Sequence, residues 1–234
     1  MKTGGRSAVP PGPDAALIRD CLREAGLDDA AAAADGAAAH AGEMMRWNRA
    51  IRLTAIVDPV EVAVKHIVDS LELLRFAPFP GRLLDFGSGA GYPGIPLAIC
   101  LPGTWITLLE ASAKKCAFLS RVRGMLGLSN VKVVQERISS RERPPLSAFD
   151  HIVTRATYST AETVRLLSPY LAEGGRLLLM KGPKDIPEEE FQGAVTRRER
   201  FLLPRGMGER EIVEISHPLP HTFHHEPGRG RRDR

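Results

Sequence analysis

Asp85, Gly87, Gly89 and Gly91 alternate through Leu83-Leu84-Asp85-Phe86-Gly87-Ser88-Gly89-Ala90-Gly91-Tyr92-Pro93-Gly94-Ile95-Pro96, an apolar strand running into a glycine-dense turn and a helix start. Glycines there let the backbone turn sharply and leave no Cβ between main chain and ligand, as a close-packed nucleotide cofactor requires. Gly89-x-Gly91-x-x-Gly94 also satisfies the dinucleotide fingerprint, and Glu110 lies at the expected distance downstream, so a nicotinamide-dependent oxidoreductase is one reading. Its register is poor. The first glycine of that fingerprint should follow the strand directly, whereas Gly89 lies beyond Phe86-Gly87-Ser88, and Pro93 and Pro96 crowd the helix start.

The stretch fits better as Asp85-x-Gly87-x-Gly89-x-Gly91, which resembles the first-strand loop of S-adenosylmethionine-dependent methyltransferases. That resemblance implies a loop of Asp85, Gly87, Ser88, Gly89, Gly91 and Tyr92 under the methionine end of the cofactor. Glu110 then ends a second strand, Thr104 to Leu109, where a carboxylate can accept both ribose hydroxyls in charge-assisted hydrogen bonds. The alternative role for Glu110 is a solvated acid at the start of the next helix.

Six motifs occur in one order: Trp47-Asn48-Arg49-Ala50-Ile51-Arg52-Leu53-Thr54-Ala55-Ile56, His66-Ile67-Val68-Asp69-Ser70-Leu71, Gly91-Tyr92-Pro93-Gly94-Ile95-Pro96-Leu97, Glu110-Ala111-Ser112-Ala113-Lys114-Lys115, Thr154-Arg155-Ala156 and Met180-Lys181-Gly182. Together, over about residues 44 to 216, they resemble the bacterial 16S ribosomal RNA guanine-N7 methyltransferase family, also called glucose-inhibited division protein B. The resemblance implies that Ile138-Ser139 frames the adenine; the family usually has Glu where this chain has Ser139. It assigns Arg155 to the methionine carboxylate or the bound guanine, and Lys114, Lys115, Lys181 and Arg210 to RNA. After the last of these the family usually places an aromatic residue or His, and here stands Glu211, an acid unfavourable beside phosphate. The partner implied is 16S ribosomal RNA or the small ribosomal subunit. Guanine N7 carries a free lone pair and the cofactor is an activated sulfonium, so methyl transfer needs no general base, and no catalytic residue is nominated. His66 and Asp69 are expected to be a structural hydrogen-bonding pair. A small-molecule methyltransferase would share the cofactor loop without RNA dependence, and a non-catalytic RNA-binding module would not need that loop.

The 234 residues, 43% hydrophobic, suffice for one core domain with an appended helical segment. Cys21, Cys100 and Cys116 are odd in number and widely spaced, which points to a reducing compartment rather than a disulfide framework. No secretory h-region and no long apolar run is present, so the expectation is a cytoplasmic protein with no membrane segment, and nothing demands more than a monomer. Net charge is only +4, but the sequence pI is about 9.1, and from Arg197 to Arg234 there are nine arginines against six acids. A basic final stretch is compatible with RNA, whose phosphates supply salt-sensitive affinity. His217, His221, His224 and His225 lack a rigid frame or partner ligands, so no metal site is expected.

The expected organisation is a disordered 1–14, a helical segment 15–80, a Rossmann-like domain 81–218 and a flexible basic tail 219–234. Helices are expected over Ala15–Ala25 (stopped by Gly26), about Asp28–Ala50, and from the Asp58-Pro59 start to about Phe76. From Arg82, apolar runs (Arg82–Phe86, Thr104–Leu109, Val131–Val134, His151–Thr154, Arg176–Met180) alternate with helical stretches (Ile95–Leu101, Ala113–Leu126, Thr160–Leu171, Glu188–Arg198). Alternation of this kind means an α/β fold with a mostly parallel sheet. Phe201–Leu203 and Glu211–Ser216 close it as an antiparallel pair, giving the seven-stranded Rossmann-like sheet of class I methyltransferases, with ligands at the carboxyl ends of the strands.

Overall fold

The computed structural model describes residues 11–139, 141–142, 144–155, 159–182 and 195–216. Residues 1–10 of the expected disordered segment 1–14, residues 188–194 of the expected helix Glu188–Arg198, and the tail with its histidines lie outside those residues. Helix α1 (Ala15–Glu24) begins where the Asp14 carboxylate accepts from Leu17 N at 2.8 Å and ends at Gly26, whose φ of +68° only glycine adopts without strain. A 3-10 stretch (Asp28–Ala33) leads into α2 (Ala34–Trp47). α3 (Pro59–Val62) is capped by Asp58, which accepts from Val60 N and Glu61 N at 3.0 Å. It passes through a π-helical stretch (Ala63–Val68) into α4 (Asp69–Leu71) and a final 3-10 stretch (Glu72–Phe76). The single helix expected there is thus broken into turns of three kinds, and the wide turn carries His66.

Strands β1 (Arg82–Phe86), β2 (Trp105–Glu110), β3 (Val131–Gln135), β4 (Phe149–Arg155), β5 (Leu171–Lys181), β6 (Val195–Leu202) and β7 (Glu209–Ser216) form one sheet in the order β3-β2-β1-β4-β5-β7-β6. β1 to β5 pair parallel, and β7 runs antiparallel to both β5 and β6. Helices α5 (Gly94–Cys100), α6 (Ala113–Met125) and α7 (Thr160–Leu167) supply crossovers. β6 corrects the expectation of a helix reaching Arg198. In Val195-Thr-Arg-Arg-Glu-Arg-Phe-Leu, Arg198 and Arg200 fall on one face of the strand, where both meet the Glu211 carboxylate of β7, and this cross-strand pairing outweighs the helical tendency of a charged run.

Strand alternation divides the core in two. Leu83, Ile106, Leu108, Val153 and Leu178 face one way and join the helical segment, including Ile18, Leu22, Met44, Ile67 and Leu71, in a continuous apolar cluster. Leu84, Phe86, Leu109, Ile152, Leu177 and Leu179 face the other way and meet Val164 and Leu167 of α7. The helical segment therefore packs directly on the sheet. Among the described residues no helix is long and apolar enough to cross a membrane.

Candidate active site

Two clefts flank the end of β1, where the strand order reverses between β2 and β4, the position at which doubly wound sheets bind ligands. The loop between them is held from inside. Asp85 is buried and its Oδ2 accepts from Gly94 N at 3.1 Å; the Ser88 hydroxyl donates to the Asp85 carbonyl at 3.0 Å. Burial pushes the Asp85 carboxyl up to about 7, against the lowering effect of those donors. Gly87 N and Ser88 N both donate to the Leu109 carbonyl, at 3.0 and 3.1 Å, tying the loop to β2. Asp85 and Ser88 thus shape the loop rather than line a cleft.

The first cleft, about 300 Å³, is lined by Phe86, Gly87, Gly89, Leu109, Glu110, Ala111, Lys115, Glu136, Arg137 and Ile138. Glu110 is 8% exposed; its Oε2 accepts from Gly89 N at 3.0 Å and its Oε1 from Ser112 N at 2.8 Å. A carboxylate has about four acceptor sites, so two remain for hydroxyls of a ligand. Apolar walls at Leu109 and Ile138 beside one fixed carboxylate and a Cβ-free backbone are a donor set that fits the nucleoside half of S-adenosylmethionine. Of the expected contacts, Gly87, Gly89, Glu110 and Ile138 meet here. Ser139 does not, because its hydroxyl accepts from Arg141 N and Glu142 N at 3.3 and 3.1 Å and closes a turn. Glu136 and Arg137, which sequence reasoning left out of the site, take the place beside Ile138. Their position just past the end of a parallel strand was the available signal.

Gly91 and Tyr92 lie behind the loop, in packing contacts rather than among the residues lining the first cleft. A Cβ on Gly91 would lie 2.8 Å from Ile95 Cγ1 and 3.1 Å from His40 Nε2, so this glycine makes room for packing. Tyr92 is buried between two imidazoles, His40 with a centroid separation of 4.5 Å and His66 at 4.7 Å. Burial depresses both histidines, His40 to about 4 and His66 to about 3, with the Arg155 charge contributing at His66. His40, which no motif singled out, also hydrogen-bonds the Ala90 carbonyl at 2.8 Å and so joins α2 to the glycine loop.

The second cleft, about 340 Å³, lies over β4, β5 and β7 and brings together Lys65, His66, Asp69, Arg155, Lys181 and Arg210 among its lining residues. Arg155 donates to the Lys65 carbonyl at 3.1 Å, to Asp69 Oδ2 at 3.3 Å and to His66 Nδ1 at 3.3 Å. Neutral His66 can accept that bond at Nδ1 only as the Nε2–H tautomer, whose proton points to Thr54 Oγ1 at 2.9 Å. His66 and Asp69 are therefore not each other's partner, as expected, but two jaws on one guanidinium. Asp69 Oδ1 also lies 3.5 Å from Arg210 Nε. Burial raises the Asp69 carboxyl while Arg155 and Arg210 hold it down. Glu211, the departure at the last basic motif, is fully buried and paired with Arg198 at 3.3 Å and Arg200 at 2.8 Å, and it also lines this cleft beside Arg210.

The four expected RNA cations thus divide. Lys181 and Arg210 line the second cleft, Lys115 the first, and Lys114 projects from the surface of α6. Among the described residues there is no group of three or more His, Cys, Asp or Glu able to hold a metal.

A seven-stranded sheet with a reversed last pair and a nucleoside-fitting cleft at its switch point defines a class I S-adenosylmethionine-dependent methyltransferase fold. A solved structure of coclaurine N-methyltransferase bound to N-methylheliamine and SAH shares that fold, with a TM-score of 0.50 at 16% identity over 63% of this chain and 53% of that one. The model of the GidB family, rRNA small subunit methyltransferase G, matches residues 36–201. Ribosomal RNA small subunit methyltransferase G of Psychrobacter cryohalolentis is 35% identical over 206 residues, covering 86% of this chain and 84% of that protein. The protein of the same name from Xylella fastidiosa (strain M23) is 40% identical over 177 residues, covering 74% and 81%. The chain belongs to the GidB family of small-subunit ribosomal RNA methyltransferases.

Proposed function

We propose that this protein transfers the methyl group of S-adenosylmethionine to N7 of a guanine in 16S ribosomal RNA, acting as a monomer in the cytoplasm. The observation that carries the reading is the juxtaposition of the Glu110 cleft with the cationic Arg155, Lys181 and Arg210 cleft across one glycine loop. Glu110 and the Gly87 to Gly89 backbone hold the nucleoside, with Ile138 against its base. The bound cofactor supplies an electrophilic methyl group on sulfur. Arg155, fixed by Lys65, Asp69 and His66, presents one guanidinium to the guanine or to the methionine carboxylate, while Lys181 and Arg210 neutralise the RNA backbone. No side chain has to remove a proton, because guanine N7 has none. His66 suits this scheme: its Nδ1 lone pair already accepts from Arg155, its Nε2 faces Thr54, and burial with the Arg155 charge lowers its proton affinity, which makes it a poor acceptor for a substrate proton. The chain's contribution is alignment of nucleophile and methyl group, an effect that reaches roughly 7 to 11 kcal/mol in well-oriented systems. A single chain carries both clefts, and the thiols of Cys21, Cys100 and Cys116 are free, as a reducing cytoplasm requires.

The test is tritiated methyl transfer from S-adenosylmethionine to small subunits from a strain lacking N7 methylation, followed by digestion to nucleosides. Label in 7-methylguanosine is the expected result. Bound cofactor with no label in RNA refutes the assigned substrate.

A further inference from the structure

The sheet is covered unevenly at its β3 edge. α6 packs on the face that carries Ile106, Leu108 and Val131, but on the opposite face the described residues between β3 and β4 form no helix. Arg82 is the register partner of Trp105, and Lys132 that of Thr107, so these four side chains share the uncovered face. They line a groove of about 480 Å³ under the amino ends of the strands. Trp105 is 63% exposed there, although parallel sheets are ordinarily buried on both faces. Arg82, Lys132 and Arg123 of α6 are exposed around the indole; among the described residues no acid lines the groove and none of the three side chains has an ion-pair partner, although the Asp150 carboxylate accepts from Arg82 N at 2.7 Å at the end of β1.

An accessible indole ringed by unpaired cations selects its occupant. Self-association through this face would set the same cations against one another across a two-fold axis. An unpaired RNA base offers a π-face for the indole, and its flanking phosphates offer charge for Arg82, Arg123 and Lys132. We propose that this groove is a second ribosomal RNA contact, taking one base on Trp105 and the adjoining phosphates on the three cations. The assignment rests on the proposed action on ribosomal RNA and extends it to the far end of the sheet. Trp105 and Glu110 open and close β2, five residues apart, which sets the two sites roughly 17 Å from each other at the rise of a strand. A long RNA engages both; a short oligonucleotide presenting only the target guanine does not.

The experiment measures binding of the full chain to an unmodified 16S transcript from about 50 to 200 mM salt, with sedimentation of the protein alone. Trp105→Ala weakens affinity by about tenfold, and Trp105→Phe restores most of it. Arg123→Gln with Lys132→Gln lowers the salt slope by about two. In each variant affinity for S-adenosylhomocysteine, melting temperature and kcat at saturating RNA stay unchanged. Unaltered affinity and salt slope in all variants overturn the assignment, as does a dimer of the unsubstituted protein that Trp105→Ala dissociates. If the unsubstituted protein does not bind the transcript, the groove assignment falls, and if it also leaves small subunits lacking N7 methylation unlabelled, the functional proposal falls with it; if it binds the one and methylates the other and the variants match it, only the groove falls.

Discussion

Replacing Asp85 by Asn should steepen the loss of stability in acid, by an amount that the buried groups around the glycine loop determine. In the folded protein Asp85 keeps its proton up to about pH 7, whereas an unfolded Asp releases it near about pH 4. Between those values the folded state binds the extra proton, so the stabilisation is complete below about pH 4 and is lost as pH rises through about 7. His40 and His66 act in the opposite sense. Unfolded, they take up protons below about pH 6.5, but folded they resist until about 4 and 3, so their contribution is lost as pH falls. From about pH 6 to 4.5 the two histidines together cost about 2.7 kcal/mol per pH unit and Asp85 returns about 1.4. In Asp85→Asn the new side chain can still accept from Gly94 N through its amide oxygen but cannot titrate, so the offset disappears. All other groups are common to both proteins and cancel in the comparison. Urea unfolding at half-unit steps of pH should give a line for Asp85→Asn steeper by about 1.4 kcal/mol per unit, and a relative gain of roughly 3 to 4 kcal/mol by pH 7.5. Parallel lines would mean that Asp85 is ionised in the folded protein, and that the loop is held by a carboxylate rather than by a neutral acid.

Glu110→Gln places an amide NH₂ opposite either Gly89 N or Ser112 N and removes the charge offered to a ribose; calorimetry should show affinity for S-adenosylhomocysteine falling about 100-fold, with a melting point a few degrees lower. Retained affinity together with the lower melting point would make Glu110 a holder of the loop alone. Gly94→Ala drives a Cβ to 2.3 Å from Leu108 Cδ2 and 2.6 Å from Asp85 Oδ2, and overpacking of this kind costs about 1 to 3 kcal/mol, visible as a reduced denaturation midpoint. His66→Phe keeps a ring on Tyr92 but deprives Arg155 of an acceptor, so KM for RNA should rise while kcat stays within about threefold and remains flat from pH 6 to 8. A kcat that titrates in the unsubstituted protein and not in the variant would establish His66 as a base.

Much of this molecule is written locally. The strand-to-glycine transition at Asp85 to Gly91, the acid at the end of β2 and the Asp58-Pro59 helix start follow from chain sterics and short-range hydrogen bonds, which a sequence displays directly. So does the alternation of apolar runs with helical stretches, from which the sheet class follows. The side-chain roles are less legible. Ser139 lies next to Ile138 in the chain, yet one faces the cleft and its neighbour closes a turn, because a one-residue step reverses direction after a strand. The segment at Val195 to Arg198 has a helix-compatible composition and becomes a strand because Glu211, more than ten residues away, supplies the ion pairs.

By itself, then, the sequence determined the family, the class of sheet and the backbone of the glycine loop, since six ordered motifs and the spacing of glycines depend only on neighbours along the chain. Tertiary structure alone decided that Asp85 is buried, which pushes its carboxyl up, that His66 and Asp69 grip Arg155 instead of each other, that Tyr92 stacks with two imidazoles, and that Glu211 is paired with two arginines of β6. Burial and long-range pairing set the charge and direction of those groups, and both arise only when residues up to about 90 positions apart are brought to one place.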